Sequence, residues 1–144
     1  MSMEILLVED NPADVRLVRE ALAEGEVHAG LHWSASGEDA LHYLRGTGAH
    51  ADAHATPDLV LLDLNLPGLN GQEVLAAIKS DPALLRIPVV VLTSSANPAD
   101  VHAAYGQHAN AYLVKPQDYD EFLTLVGHIR SYWLTSVLLP GRVA

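Results

Sequence analysis

Five side chains of this 144-residue chain stand at comparable places, each next to a short run of Val, Ile and Leu. Glu9 and Asp10 follow ILLV, Asp63 follows LVLL, Thr93 and then Ser94 follow VVVL, and Lys115 follows AYLV. If those runs are parallel strands of one sheet, three carboxylates, a hydroxyl and an ammonium gather along one edge. Two carboxylates about 4 Å apart repel by about 4 kcal/mol at an effective dielectric near 20, so the group needs a cation or raised pKa values. Hard oxygen donors that leave positions open for water suit Mg²⁺, with Asp10 and Asp63 the best direct ligands. A carboxylate beside such an ion can also attack phosphorus, a reaction whose catalysis is mainly positioning and charge neutralisation. Lys115 and the Thr93 hydroxyl would then contact the phosphoryl oxygens. Alone, Asp63 reads as a strand-end Asp capping the next turn, and Lys115 as a solvated surface lysine. Their company favours chemistry.

The elements that must position these groups are readable. Residues 5–8, 59–62, 89–92 and 111–114 are nearly continuous apolar runs, the pattern of parallel strands covered on both faces. Residues 28–34 alternate more and read as an edge strand. Between the runs lie helical patterns with recognisable starts. Asn11 with Pro12, and Asn97 with Pro98, pair an N-cap with a preset first residue, and Ser36 caps a segment that Gly46 ends. The first helix presents Val15, Leu17, Val18 and Leu22 before Gly25. Val74, Leu75 and Ile78 mark a third helix over 71–79, and Asp118 with Glu121 resembles a capping box ahead of Phe122, Val126 and Ile129. Five strands alternating with five helices predict a doubly wound α/β domain, a parallel five-stranded sheet with helices on both faces and right-handed crossovers. Ligands in that class bind outside the carboxyl ends of the strands, where the five side chains sit.

Composition narrows the function classes. Eight Lys and Arg against 18 Asp and Glu leave a formal charge of −10, which argues against nucleic-acid or anionic-membrane binding. At 49% apolar and 18% charged residues, the chain can bury a core. There is no cysteine for disulfides or thiolate metal sites. Neither a signal-peptide pattern nor an apolar run of about 18 residues is present, so a cytoplasmic address is expected. One domain is expected from the length, with no room for a second folded output domain. The turn after the first strand, EDNPAD, lacks the glycine-rich loop of a dinucleotide site.

The segments ILLVEDNPADV, PDLVLLDLNLPGLNG, PVVVLTSSAN and AYLVKP, in that order, resemble the receiver domain of two-component response regulators. The resemblance implies a flavodoxin-like (βα)5 fold with strand order 2-1-3-4-5, and a phosphoryl group taken onto Asp63 from the phosphohistidine of a sensor histidine kinase. It also implies Mg²⁺ supported by Glu9, Asp10, Asp63 and the Asn65 backbone carbonyl, with no turnover beyond the domain's own phosphotransfer and dephosphorylation. Thr93 and Tyr112 take the positions of the switch pair, Lys115 that of the phosphate-pairing lysine, and Lys115–Pro116 that of a cis peptide. Asn65 and Ser95 fall where the family tunes access of water to the phosphoryl group. The opening VEDNPADVRLVREAL, the insertion before the third strand and the ending SYWLTSVLLP are similar to small stand-alone regulators that partner phytochrome kinases. Output would then pass through protein contacts or a phosphorelay. Two other readings compete. A haloacid-dehalogenase-like phosphatase would want a second Asp where Asn65 stands and a cap domain, and a phosphorylation-independent dimer module would not need the acidic group.

Two further segments call for a reading. Residues 131–144 form an apolar extension to a receiver domain ending near 130, and Tyr132, Trp133, Val137, Leu138 and Leu139 would leave an uncovered patch. A homodimer interface is expected there, with the tail folding over its own sheet edge as the alternative. His50 and His54, in GTGAHADAHATP, invite a metal reading, but the segment is Gly- and Ala-rich and holds no third ligand nearby, so it reads as a mobile surface loop.

Overall fold

The computed structural model describes residues 2–24, 28–50 and 56–143. Its elements run β1 (Ser2–Val8), α1 (Pro12–Ala23), β2 (His28–Ser34), α2 (Gly37–Arg45), β3 (Leu59–Leu62), α3 (Gly71–Ser80), β4 (Val89–Thr93), α4 (Pro98–Gly106), β5 (Ala111–Val114) and α5 (Tyr119–Ser131). All strand pairs are parallel, in the order β2-β1-β3-β4-β5. This is the expected doubly wound, flavodoxin-like architecture.

Alternation along each central strand splits the core into two layers. Ile5, Leu7, Leu59, Leu61, Val90 and Leu92 pack with Val15, Val18 and Leu22 of α1 and Phe122, Val126 and Ile129 of α5. Leu6, Val8, Val60, Leu62, Val89 and Val91 face Leu41 and Leu44 of α2, Val74, Leu75 and Ile78 of α3, and Ala104 of α4. The caps form as the sequence predicts at Asn11, Ser36, Asn97 and Asp118, whose side chains accept from the backbone of Ala13, Asp39, Ala99 and Glu121. The full reciprocal box forms at α3, between Asn70 and Glu73. Gly46 ends α2 in the left-handed region at φ 65°. Gly25 lies outside the described residues.

Three expectations are corrected. β5, at the sheet edge that the expected order gives it, is less buried than its apolar run suggests: Tyr112 packs on one layer and Ala111 and Leu113 on the other, but all three are only half-buried and Val114 is exposed. The Lys115–Pro116 peptide is trans, since no cis peptide bond occurs among the described residues. For an X–Pro bond trans is favoured by about 0.5–1 kcal/mol, and Lys115 reaches its partners with the trans bond in place. Third, the tail does not leave all its apolar residues uncovered. After α5 a π-turn spans Tyr132–Ser136, and Leu134 and Leu139 are buried in the α1/α5 layer, with Trp133 and Val137 packed against it. Tyr132 and Leu138 stay exposed, at 59% and 73%. A last turn, Pro140–Arg142, brings the Arg142 guanidinium to 2.8 Å from Asp58, whose carboxylate also accepts from the Glu4 backbone at 2.9 Å. The tail is thereby fastened where the chain enters β3.

Candidate functional site

Hydrogen bonds at the carboxyl ends of the strands bring the turns into register. Glu9 donates its backbone N–H to Ser34, Asp63 to Val8, and Lys115 to Thr93. The Trp33 indole donates to the Glu9 carbonyl at 2.6 Å, and the Asn11 backbone donates to the Glu9 carboxylate at 3.1 Å. Behind Asp63, Gly71 lets the start of α3 approach the end of β3. A Cβ there would lie 2.3 Å from the Asp63 carbonyl oxygen, while the Gly71 N–H donates to Leu64.

Around this frame the predicted site residues converge. Lys115 Nζ donates to Glu9 Oε2 at 2.5 Å, Asp14 Oδ2 at 2.9 Å and Asp63 Oδ2 at 3.0 Å. The other Asp63 oxygen accepts from the Asn65 backbone at 3.0 Å. The Asn65 side-chain amide lies 3.4 Å from the hydroxyl of the fully buried Thr93. Glu9 and Asp63 are buried and Asp10 is exposed, yet one oxygen from each lies within 4.8 Å of the others. Tyr112 is half-buried against the α2–α4 layer, its hydroxyl donating to the Ser95 carbonyl at 2.8 Å, while Ser95 itself donates to Asp100. A cleft lined by Asp14, Leu17, Lys115, Pro116 and Phe122 opens beside the ammonium.

Asp14 is the participant that sequence reasoning missed. Its position offers a signal: it is an acidic residue in the first turn of α1, only four residues after Asp10.

The electrostatics are those of an anionic pocket with one internal cation. Burial pushes the Glu9 carboxyl up to about 7, with the Asp63 charge adding to the rise and the bond to Lys115 opposing it. Burial also opposes the Lys115 charge, but its hydrogen bonds to Glu9 and Asp14 and the charges of Glu9 and Asp63 outweigh this and hold it above the ordinary lysine value. One ammonium does not balance Glu9, Asp10, Asp14 and Asp63. Hard oxygen donors of which one is exposed suit a hard divalent ion that keeps water ligands. Asn at position 65, bonded toward Thr93, leaves no second carboxylate for a dehalogenase-type phosphatase.

Among the described residues no helix is long and apolar enough to cross a membrane. Comparison with known proteins agrees with the geometry. The profile of the response regulator receiver domain matches residues 5–127. Response regulator Rcp1 of a Synechocystis species is 46% identical over 137 residues, 95% of this chain and 92% of the relative. The crystal structure of the phosphorylated cyanobacterial phytochrome response regulator RcpA superposes with a TM-score of 0.93 at 46% identity, covering 97% of this chain and 99% of that one. The Mn²⁺-bound form of Rcp1 gives 0.92 at 46% identity, over 96% and 99%. Fold, strand-end chemistry and kinship over nearly the whole chain agree: this protein belongs to the response regulator receiver domain family.

Proposed function

We propose that the chain takes a phosphoryl group onto Asp63 from the phosphohistidine of a sensor histidine kinase, with Mg²⁺ as the divalent ion. The observation that carries this reading is the convergence on Asp63 of Lys115 at 3.0 Å and of Glu9 and Asp10 within 4.8 Å. An Asp63 carboxylate oxygen attacks phosphorus. The P–O bond forms as the P–N bond to imidazole breaks, and the electron pair leaves on the imidazole nitrogen. Asp10, Asp63, the Asn65 carbonyl and Glu9 would hold Mg²⁺, which would neutralise charge on the phosphoryl oxygens. Lys115 and the Thr93 hydroxyl receive those oxygens. Movement of Thr93 is felt at Ser95, whose carbonyl holds Tyr112, so that switching biases the α4–β5–α5 face. The protein turns over no substrate besides its own acyl phosphate. The phosphorylated and Mn²⁺-bound relatives support this reading, and the name of the phosphorylated one makes a phytochrome the kinase class to test first. Incubation with Mg²⁺ and a small phosphodonor labels the wild type, and Asp63→Asn abolishes the label. Stoichiometric labelling of that variant overturns the assignment.

The protein works in the cytoplasm as a homodimer, without nucleic acid or membrane as partner. The dimer reading rests on Tyr132 and Leu138, exposed beside the half-buried Trp133 and Val137 on a tail that is otherwise anchored. Removing the tail would also remove the buried Leu134 and Leu139, so the cleaner test is Tyr132→Ala with Leu138→Asp. Light scattering then reads a monomer, and an unchanged dimer mass moves the interface elsewhere.

A further inference from the structure

At the β2 edge of the sheet lies a second group of metal-binding side chains, unrelated to the acidic pocket. His32 belongs to β2, Asp39 to α2, and His50 to the 3₁₀ turn Gly48–His50 that follows α2. One ligand atom from each lies within 4.8 Å of the others, and all three residues are half-buried. The segment around His50 holds no third ligand nearby in sequence, but the fold supplies two from remote positions. His54 lies outside the described residues.

The geometry is held rather than incidental. The His32 ring stacks on Tyr43 with centroids 3.8 Å apart and planes 10° from parallel. His50 stands edge-on to both rings, at 5.3 and 5.2 Å. The turn carrying it is set by left-handed Gly46 and Gly48 and tied by the contact of His42 Nδ1 with the Thr47 hydroxyl at 2.8 Å. His50 Nε2 meets Asp39 Oδ1 at 2.8 Å. His32 Nε2 is buried and has no hydrogen-bond partner among the described residues, a state that costs about 1–3 kcal/mol for a polar atom.

Two imidazoles and one carboxylate form a donor set for a borderline transition ion, unlike the all-oxygen set around Asp63. In a tetrahedral site with ligand bonds of about 2.0–2.2 Å, neighbouring donors stand about 3.3 Å apart. His50 and Asp39, at 2.8 Å, already stand that close, and with all three donors within 4.8 Å of one another the trio need close by no more than about 1.5 Å. The structure assigns to His32, Asp39 and His50 a second metal site, taking Zn²⁺ or a similar divalent transition ion with water in the fourth position. The ion would cross-link edge strand, helix and turn. This inference is independent of the phosphoacceptor reading.

The test uses the full chain, stripped with a chelator and titrated with Zn²⁺ in saturating Mg²⁺, with metal content measured after dialysis. The wild type is expected to retain one Zn²⁺ equivalent and to gain thermal stability from it. His50→Ala and His32→Asn each weaken that event by about a hundredfold or more, while Asp10→Asn leaves it intact. Co²⁺ substitution should give the intense visible bands of a four-coordinate ion. Should His32→Asn misfold by circular dichroism, the turn variant His50→Ala decides. The inference is overturned if the wild type retains no Zn²⁺, if His50→Ala binds like the wild type, or if Asp10→Asn removes the event.

Discussion

Because burial holds the Glu9 carboxyl near 7 in the metal-free protein, binding of a divalent ion at the acidic pocket is expected to displace a proton through most of the neutral range. With an acid of pKa about 7, about one molecule in ten is ionised at pH 6 and about nine in ten at pH 8. The apparent Mg²⁺ affinity should rise about tenfold between those values, a change of about 1.4 kcal/mol. The accompanying stability change has the opposite sign. The folded-state value is raised above the ordinary 4.5, so the contribution of Glu9 is fully present below pH 4.5 and is lost as pH rises through about 7. That loss is worth about 3 kcal/mol without metal, and added Mg²⁺ should recover part of it. Trp33 supplies the assay, since its indole donates to the Glu9 carbonyl and its fluorescence should report Mg²⁺ binding next door. Calorimetry in buffers of different ionisation enthalpy should show about 0.9 proton released per ion at pH 6 and about 0.1 at pH 8. Glu9→Gln should bind more weakly and lose the pH dependence. A wild-type affinity that changes less than twofold over this range, or a Glu9→Gln variant that keeps the tenfold change, would refute the reasoning.

Other consequences can be checked on the same protein. Lys115→Met leaves Glu9, Asp14 and Asp63 without their shared cation, and should cost about 3–5 kcal/mol in urea unfolding at pH 8. The cost should shrink at pH 5, where Glu9 is protonated. Gly71→Ala sets a methyl 2.3 Å from the Asp63 carbonyl oxygen, and should destabilise by about 1–3 kcal/mol while slowing phosphodonor labelling. Leu139→Ala empties a fully buried position in the tail and should cost about 2–5 kcal/mol, whereas Leu138→Ala at its exposed neighbour should cost little. Equal effects at the two leucines would contradict the fold-back of the tail.

The central strands are legible in sequence because two-sided burial demands unbroken Val, Ile and Leu, and the site residues because each lies one step past such a run. β5 carries the same kind of run but ends the sheet, and nothing in Ala111–Val114 itself says which strand lacks a neighbour. The tail misleads for a related reason. Leu138 and Leu139 are identical by type, and only the geometry after the π-turn decides that one is exposed and the other buried. Asp58 gives no sign in sequence that it anchors Arg142, 84 residues away. The His32–Asp39–His50 group is hidden similarly, since the turn after α2 folds back onto an earlier strand. Short-range features such as caps survive the step from sequence to structure best, because each is decided within four residues.

Asp14, the least legible member of the pocket, has the most definite consequence. An ammonium has three protons, and Lys115 gives them to Glu9, Asp14 and Asp63, so none remains for an arriving phosphoryl oxygen. One carboxylate must yield. Glu9 is a poor candidate, because its side chain is only 3% exposed and would be left buried without its partner. Asp14 is 23% exposed and exchanges its bond for water at lower cost. Asp14→Ala should therefore leave the fold within about 1 kcal/mol of the wild type, free a donor on Lys115 and remove one negative charge from the approach of an anionic donor. Labelling by a small phosphodonor should then quicken several-fold at low ionic strength, with a smaller gain at high salt. A slower or unchanged rate would mean that Lys115 keeps its bond to Asp14 during transfer, and that Glu9 or Asp63 is the group that lets go.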